Sequence, residues 1–332
     1  MTSSSTTPDR ITIRSYLGAT DERALADDVL DGLTRPFKEL KPKHLYDQRG
    51  AELFDEICEQ PEYYPTRAER SILVARSAEL AERTGATELV ELGAGTAAKT
   101  RLLLAALDEA GTLRRYVPLD VTEGMVRDVA AELTAIHPGL LVHGIVGDFE
   151  RHLVHLPEAL GPRIIAFLGG TIGNFTPGAR RSFLRDVGRR MGPDDVLLLG
   201  TDLVKDAAVI EAAYDDAAGV SAAFARNGLE VINRELHADF APERFEYVAF
   251  YDRERAWVDM RLRATERMDV RVEDLDLDVT FAAREELRTE ISTKFTRERL
   301  EQDLGAAGLE LVELMTDEED RFALTLARPL AR

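Results

Sequence analysis

Cysteine is almost missing: 332 residues contain one, Cys58. No internal disulfide can form, and such sparing use fits a reducing compartment, so a cytoplasmic protein is expected. Cys58 has no partner near it in sequence and is expected to be buried and inert. Long apolar runs are missing too. No stretch approaches the ~18–20 residues that a membrane span needs. The first ten residues are rich in Ser and Thr without an apolar centre, which argues against a secretory signal and reads as a tail over residues 1–11. The six histidines show no metal-ligand spacing. His152 and His155 stand three apart, but no neighbouring Cys or His completes a set, and both read as surface residues. Positive charge is in deficit, with 42 Lys plus Arg against 61 Asp plus Glu and a formal net charge of −19. Such a surface repels nucleic acid and anionic membrane. The partner it leaves room for is a small neutral or zwitterionic molecule, and a monomer is the expectation.

What is present is enough apolar residue, 45%, for a real core in two domains or one large one. From Thr66 to Val204 short apolar runs alternate with helical patterns. The runs Leu89–Leu92, Tyr116–Val121, Leu140–Val146, Ile164–Leu168 and Val196–Gly200 look like strands buried on both faces of a parallel sheet. Thr176-Pro177 opens one intervening helix as N-cap and first helical residue. The expected class is α/β, a doubly wound Rossmann-like sheet. After Val204 a helical stretch carrying Tyr214-Asp215-Asp216 is expected to continue to about Asn227. Period-two runs then follow through Phe245–Tyr251, Val258–Leu262 and Leu275–Phe281, as in an antiparallel sheet with one wet face. From Phe295 the α/β pattern returns, with Thr296 as a helix cap and Leu309–Leu314 and Phe322–Ala327 as closing strands. The core is therefore expected at residues 68–204 and 294–330, and an inserted α+β lobe at residues 12–67 and 205–293.

The most informative stretch is Val90-Glu91-Leu92-Gly93-Ala94-Gly95-Thr96-Ala97-Ala98-Lys99. It is an apolar strand that turns on two glycines and enters a helix, a layout that lets a charged ligand group touch bare backbone. In an open parallel sheet, ligands bind outside the carboxyl ends of the strands. There Asp120 is placed for ribose hydroxyls, Asp148 for an exocyclic amine, Phe149 for an adenine face and Lys99 for a carboxylate. Asp120 and Asp148 also read as ordinary turn or helix caps, and Lys99 as a solvated side chain. A nicotinamide dinucleotide is not excluded by the glycines alone. Against it, Ala97 and Lys99 stand where a third glycine is usual, and acidic residues end both following strands, which suits one adenosine better.

The chain resembles the family of L-histidine Nα-methyltransferases of ergothioneine biosynthesis, within the S-adenosylmethionine-dependent methyltransferases. The resemblance rests on Lys43-His44-Leu45-Tyr46-Asp47, Leu53-Phe54-Asp55, Pro61-Glu62-Tyr63-Tyr64-Pro65-Thr66-Arg67 and Glu91-Leu92-Gly93-Ala94-Gly95-Thr96. It continues through Phe167-Leu168-Gly169-Gly170-Thr171-Ile172-Gly173-Asn174, Leu199 to Asp206, Tyr214 to Val220, and Glu290-Ile291-Ser292-Thr293-Lys294-Phe295. It implies three methyl transfers from S-adenosylmethionine to the α-amino nitrogen of histidine, giving the trimethylated betaine hercynine. It implies that Gly93, Lys99, Asp120, Asp148 and Phe149 hold the cofactor. It implies that Tyr63, Asn174 and Tyr214 hold the carboxylate and amine end of the amino acid, and that Glu290 and Ser292 hold the imidazole. Tyr46, Phe54, Gly169 and Met260 are further candidates for the pocket. Gly170 departs from the pattern, which has a small hydroxyl residue there.

The acceptor assignment has its own logic. Glu290 and Ser292 are two apart and share a face if the stretch is extended. A carboxylate with a hydroxyl satisfies both ring nitrogens of histidine and excludes leucine or phenylalanine, which would leave those groups unpaired. A surface strand with two polar residues is the plain alternative. Asn174 has both donors and an acceptor for an amine or carboxylate, and is otherwise a turn residue. Tyrosine faces suit a nitrogen that becomes a permanent cation. No residue presents itself as a dedicated base. Methylation of another amine, and cofactor binding without turnover, are the rival readings.

Overall fold

The computed structural model describes residues 10–330. Its strands are β1 (Ile11–Ser15), β2 (Lys38–Glu39), β3 (Glu88–Leu92), β4 (Arg115–Asp120), β5 (Leu141–Val146), β6 (Arg163–Phe167), β7 (Val196–Asp202), β8 (Phe245–Asp252), β9 (Trp257–Ala264), β10 (Met268–Val272), β11 (Leu277–Phe281), β12 (Glu286–Thr293), β13 (Leu309–Thr316) and β14 (Phe322–Pro329). An eight-stranded sheet runs β1-β5-β4-β3-β6-β7-β14-β13. Its first six strands pair in parallel, and β14 is antiparallel to both β7 and β13. All five positions of β3 and of β6 are buried, because helices cover both faces. Alternation along β3 sends Leu89 into one core with Leu73, Leu103 and Leu133, and Val90 and Leu92 into the other with Phe167, Phe183 and Leu300. Thr176 accepts from the Ala179 N–H at 3.4 Å with Pro177 in the first helical turn, and Thr296 accepts from the Arg299 N–H at 3.3 Å, so both expected caps are made.

Between β7 and the closing elements the chain builds β8, β9 and β12, which with the earlier β2 form a second sheet, β2-β12-β9-β8, and a hairpin of β10 with β11. Helix Val220–Leu236 lays Leu229, Ile232 and Leu236 onto Phe245, Leu262, Phe281 and Leu287. The chain rejoins the first sheet beside the end of β7, where Phe295 donates its N–H to Asp202 O at 2.8 Å and accepts from the Val204 N–H at 2.9 Å.

Five local expectations are corrected. Residues 12–15, assigned above to the inserted lobe, form β1 and pair with β5 at the edge of the eight-stranded sheet. The strand was hard to read because it is an edge strand, with only Ile13 half-buried. Within the expected tail, residues 1–9 lie outside the described residues, but Arg10 donates to the carbonyls of Thr134 at 3.0 Å and Pro138 at 2.8 Å. The helix through Tyr214-Asp215-Asp216 is not continuous. Helix Ala207–Tyr214 stops there, Gly219 turns at φ 75°, and the Asp216 carboxylate takes the N–H groups of Val220 and Ser221 at 2.8 and 2.7 Å to start the next helix. His152 is buried rather than superficial. Its Nδ1 accepts the Asp148 N–H at 2.9 Å, while the His155 ring stacks on Tyr16 at 3.7 Å. Cys58 is half-buried and accepts from the Thr66 hydroxyl at 3.2 Å, and burial pushes its thiol pKa up.

The two stretches of the first sheet's covering layer are joined by a buried ion pair. Arg180, on helix Pro177–Gly188, donates from Nε to Asp303 Oδ2 at 2.7 Å on helix Arg297–Ala306, and Arg180 is 1% exposed. Asp303→Ala leaves that guanidinium buried without its carboxylate and should cost about 3–5 kcal/mol of stability. Chemical denaturation of the variant beside the parent measures it. Equal midpoints would show that Arg180 finds compensation elsewhere.

Candidate active site

The turn after β3 takes its form from glycine. Gly93 and Gly95 have φ of 74° and 49°, in the left-handed region that other side chains resist. The Asp120 carboxylate pins this turn to its neighbour, accepting from the N–H groups of Gly95 and Thr122, both at 2.9 Å. A side chain on Gly93 would begin 3.6 Å from the Phe149 ring, so bare backbone faces an aromatic surface across the crevice. Phe149 itself leans on Phe167 and Phe183, with ring centroids 5.2 and 5.8 Å away. Asp148 caps helix Phe149–His152 by accepting from the Glu150 N–H at 2.8 Å, and Lys43 approaches it at 3.3 Å. Exposed glycine backbone, an aromatic face and two carboxylates around one strand-end crevice suit an adenosine with a charged amino-acid tail. Glu91 lies beneath, bonded by Thr100 and Tyr116, and burial pushes its pKa up to about 7.

Lys99 ends in an ion pair with Glu69, a fully buried carboxylate on helix Pro65–Thr84 that the sequence reading missed. Glu69 also accepts the Gly169 N–H with both oxygens, at 2.8 and 3.0 Å. Lys99 is thus neither solvated nor free, and through Glu69 it is tied to the loop after β6.

That loop opens onto a pocket lined by all nine residues expected on the acceptor side: Tyr46, Phe54, Tyr63, Gly169, Asn174, Tyr214, Met260, Glu290 and Ser292. Gly169 brings the pocket wall close to Lys99, since a side chain there would begin 3.5 Å from Lys99 Nζ, while Gly93, Lys99, Asp120, Asp148 and Phe149 are not in the pocket lining. Gly173 lets the loop reach β12, for a Cβ on it would stand 3.0 Å from Thr293 O. A register shift between Arg288 and Glu290 re-aims the end of β12. The Asn174 side-chain amide then donates to Glu290 Oε1 at 2.6 Å. Burial raises the Glu290 pKa to about 8, with Lys294 offsetting part of the effect. Gly170, the departure from the family pattern, has φ 72°, a conformation natural to glycine.

The Tyr63 ring meets Tyr214 edge-on at 5.9 Å and Phe54 at 6.2 Å, and Tyr46 meets Phe54 at 5.6 Å, giving one aromatic wall. Behind it lies a polar cluster in which the sequence reading gave roles to Tyr214 and Ser292 alone. Tyr214 OH and Ser292 Oγ are 2.8 Å apart, and Lys294 Nζ donates to both, at 2.7 and 2.8 Å. Lys294 also pairs with Asp202 at 2.8 Å, and Asp202 accepts from Tyr64 OH at 2.8 Å and Lys205 at 2.5 Å. Burial opposes charge on both partners, yet their attraction prevails: Asp202 is held below and Lys294 above its ordinary pKa. Lys205, more weakly compensated for its burial, is pulled down to about 8. One signal pointed to Lys294. It follows Glu290 and Ser292 at the same two-residue spacing, so it continues their face of the strand.

Residues 25–329 match the family described as histidine-specific methyltransferase, SAM-dependent. The histidine N-alpha-methyltransferase of Mycolicibacterium smegmatis is 48% identical over 318 residues, covering 96% of this chain and 99% of that protein. The one from Mycobacterium tuberculosis is 49% identical over 319 residues, again with 96% and 99% covered. The L-tryptophan methyltransferase of Psilocybe serbica is 28% identical over 331 residues, covering 90% of this chain and 91% of that protein.

The raised Glu290 pKa has a stability consequence. Unfolded, this carboxyl ionises near 4.5; folded, it keeps its proton to about 8. Over that window the native state binds more protons, so this group lowers stability as pH rises. Glu290→Gln should therefore gain stability relative to the parent between about pH 5 and about pH 8, by roughly a few kcal/mol. Thermal melts across that range check it, and parallel curves for the two proteins would refute the shift.

Proposed function

We infer the reaction from one premise: the chain belongs to the family of histidine-specific, S-adenosylmethionine-dependent methyltransferases. We propose that it transfers three methyl groups to the α-amino nitrogen of L-histidine, giving hercynine for ergothioneine biosynthesis. The observation that carries this reading is the convergence of Glu290, Ser292, Asn174, Tyr63 and Tyr214 on one pocket, with Gly169 of its lining beside Lys99.

In this reading Gly93, Asp120, Asp148, Phe149 and Lys99 hold the cofactor. Asp120 has the ribose hydroxyls, Phe149 the adenine face and Lys99 the carboxylate. S-adenosylmethionine supplies a methyl already activated by the sulfonium, so the protein needs little acid–base machinery. Its residues bind, align and exclude water. Glu290 and Ser292 fix the imidazole at one end. Asn174 and Tyr214 fix the backbone end of the amino acid, and Asn174 ties both ends together because its amide also engages Glu290. The rings of Tyr63, Tyr46 and Phe54 face the nitrogen as it gains methyl groups and ends as a fixed cation. Met260 and Gly169 complete the wall. The amine must be unprotonated at attack, and its protons pass to solvent through water. We further propose that the protein acts as a monomer in the cytoplasm; no helix among the described residues is long and apolar enough to cross a membrane.

Mass spectrometry of histidine incubated with protein and S-adenosylmethionine, beside a panel of other amino acids, tests the reading. Histidine should gain three methyl groups and leucine none. Absence of any methylated histidine would favour a cofactor-binding protein without turnover, and methylation of a different amine would move the substrate assignment. Glu290→Ala should raise the histidine KM by tenfold or more, the equivalent of ~1.4 kcal/mol; an unchanged KM removes Glu290 from the ring site. Where chemistry limits turnover, kcat should rise with pH toward the pKa of the bound amine, and a flat profile would contradict that.

A further inference from the structure

We propose that Lys294 is a positioning residue that makes Ser292 an obligate hydrogen-bond donor, so that the pocket takes histidine with a neutral imidazole and refuses the imidazolium. This rests on the reading of the pocket as a histidine site.

The argument is a count of protons and lone pairs. Lys294 is fully buried, and its ammonium has three N–H donors and nothing to accept with. The three reach Tyr214 OH at 2.7 Å, Ser292 Oγ at 2.8 Å and Asp202 Oδ2 at 2.8 Å, so all are spent. The two hydroxyls are themselves 2.8 Å apart and share one more bond. A phenol, with a pKa of about 10, is a far stronger acid than an alkyl hydroxyl and is the better donor. Tyr214 therefore donates to Ser292. The serine oxygen then receives from Lys294 and from Tyr214, and both of its lone pairs are occupied. Its remaining capacity is its own proton, and Ser292 lines the pocket.

Glu290, two residues earlier on β12, differs from Ser292 in keeping acceptor capacity: even while it holds its proton, the carboxyl can accept beyond the bond it takes from the Asn174 amide. One donor and one acceptor match a neutral imidazole, which has one bare nitrogen and one N–H. An imidazolium has two N–H groups. One of them would face an oxygen with no free lone pair, an unpaired buried polar contact. The charged and titratable groups around this point are Glu290 and Lys294 at the end of β12, Asp202 at the end of β7, Tyr214 closing its helix, Tyr247 on β8, and Tyr46 and Tyr63 in the aromatic wall, with Lys205 on the far side of Asp202. Glu290 alone would invite a cationic ring. Its burial makes that charge expensive to form, and the fixed charge of Lys294 stands against a second cation.

Histidine carrying nitrogen-15 in the ring, bound together with S-adenosylhomocysteine so that nothing turns over, reads the answer by NMR. At about pH 5.5 most free imidazole is protonated, given an ordinary pKa of about 6.5. In the parent protein the bound ring should show one protonated and one bare nitrogen, with its pKa lowered by about one unit or more. A bound imidazolium overturns the proposal. In Lys294→Met one serine lone pair is released and the charge is gone. The bound ring should then titrate about one unit or more higher than in the parent, with histidine affinity reduced about tenfold. A ring that stays neutral in this variant overturns the assignment to Lys294. If Lys294→Met fails to fold by circular dichroism and S-adenosylhomocysteine binding, Tyr214→Phe keeps the Lys294–Asp202 pair and frees the other serine lone pair; its bound ring should also titrate higher than in the parent, and a ring pKa equal to the parent's is equally fatal. Failure of the parent to bind or methylate histidine is a different result. It removes the proposed function itself, and this inference with it.

Discussion

A buried ion pair joins the two sheets. Asp202 closes the last parallel strand of the large sheet, and Lys294 lies just past the end of β12 in the small one. Two charges taken from water cost several kcal/mol each unless every donor and lone pair is met. Here they are met: Lys294 gives its three N–H groups to Asp202, Tyr214 and Ser292, and Asp202 takes Tyr64 and Lys205 as well. Such a pair is a poor source of stability compared with apolar packing of the same volume. It is a strong constraint on geometry, because either partner displaced alone leaves a bare charge inside the protein. The position of β12 relative to β7 is fixed by that penalty, and Glu290 and Ser292 travel with β12.

The other half of the site is held by backbone. The turn after β3 depends on left-handed glycines and on one carboxylate, Asp120, that clasps two N–H groups. What faces the crevice is peptide and the Phe149 ring. The loop after β6 links the halves. Glu69 holds its first amide and also engages Lys99, while Gly173 brings its far end against Thr293. A cofactor tail reaching Lys99 and an amino acid resting on Gly169 would therefore share a single framework of hydrogen bonds, which is what in-line transfer between two bound molecules requires.

Most of the parallel sheet was legible because its strands are buried on both faces and read as short apolar runs between turn residues. The alternation of β11 was legible for the complementary reason, one dry face and one wet, whereas β9 has no exposed position and β8 is half-buried along most of its length. β1 was not, since an edge strand with one half-buried residue carries almost no hydrophobic signal. The break after Tyr214 was hidden because it depends on Gly219 and on the Asp216 carboxylate capping the helix that follows. His152 read as surface because its burial comes from Tyr16 and from the backbone of Asp148, neither of which a spacing rule reports.

The candidate residues divide in the same way. Gly93, Asp120 and Asp148 are recognisable in the chain because strand ends are local features, and the pairing of Glu290 with Ser292 follows from the two-residue period of any strand. That Ser292, Tyr214 and Asp202 meet around one lysine is not local. These residues are separated by up to 90 positions, and only closure of β12 against the end of β7 brings them within hydrogen-bond reach. The sequence by itself determined which faces are apolar, where the turns fall and which side chains carry the chemistry. The tertiary structure alone decided which of those side chains share a proton, because that depends on distances of about 3 Å between segments whose separation along the chain sets no distance at all.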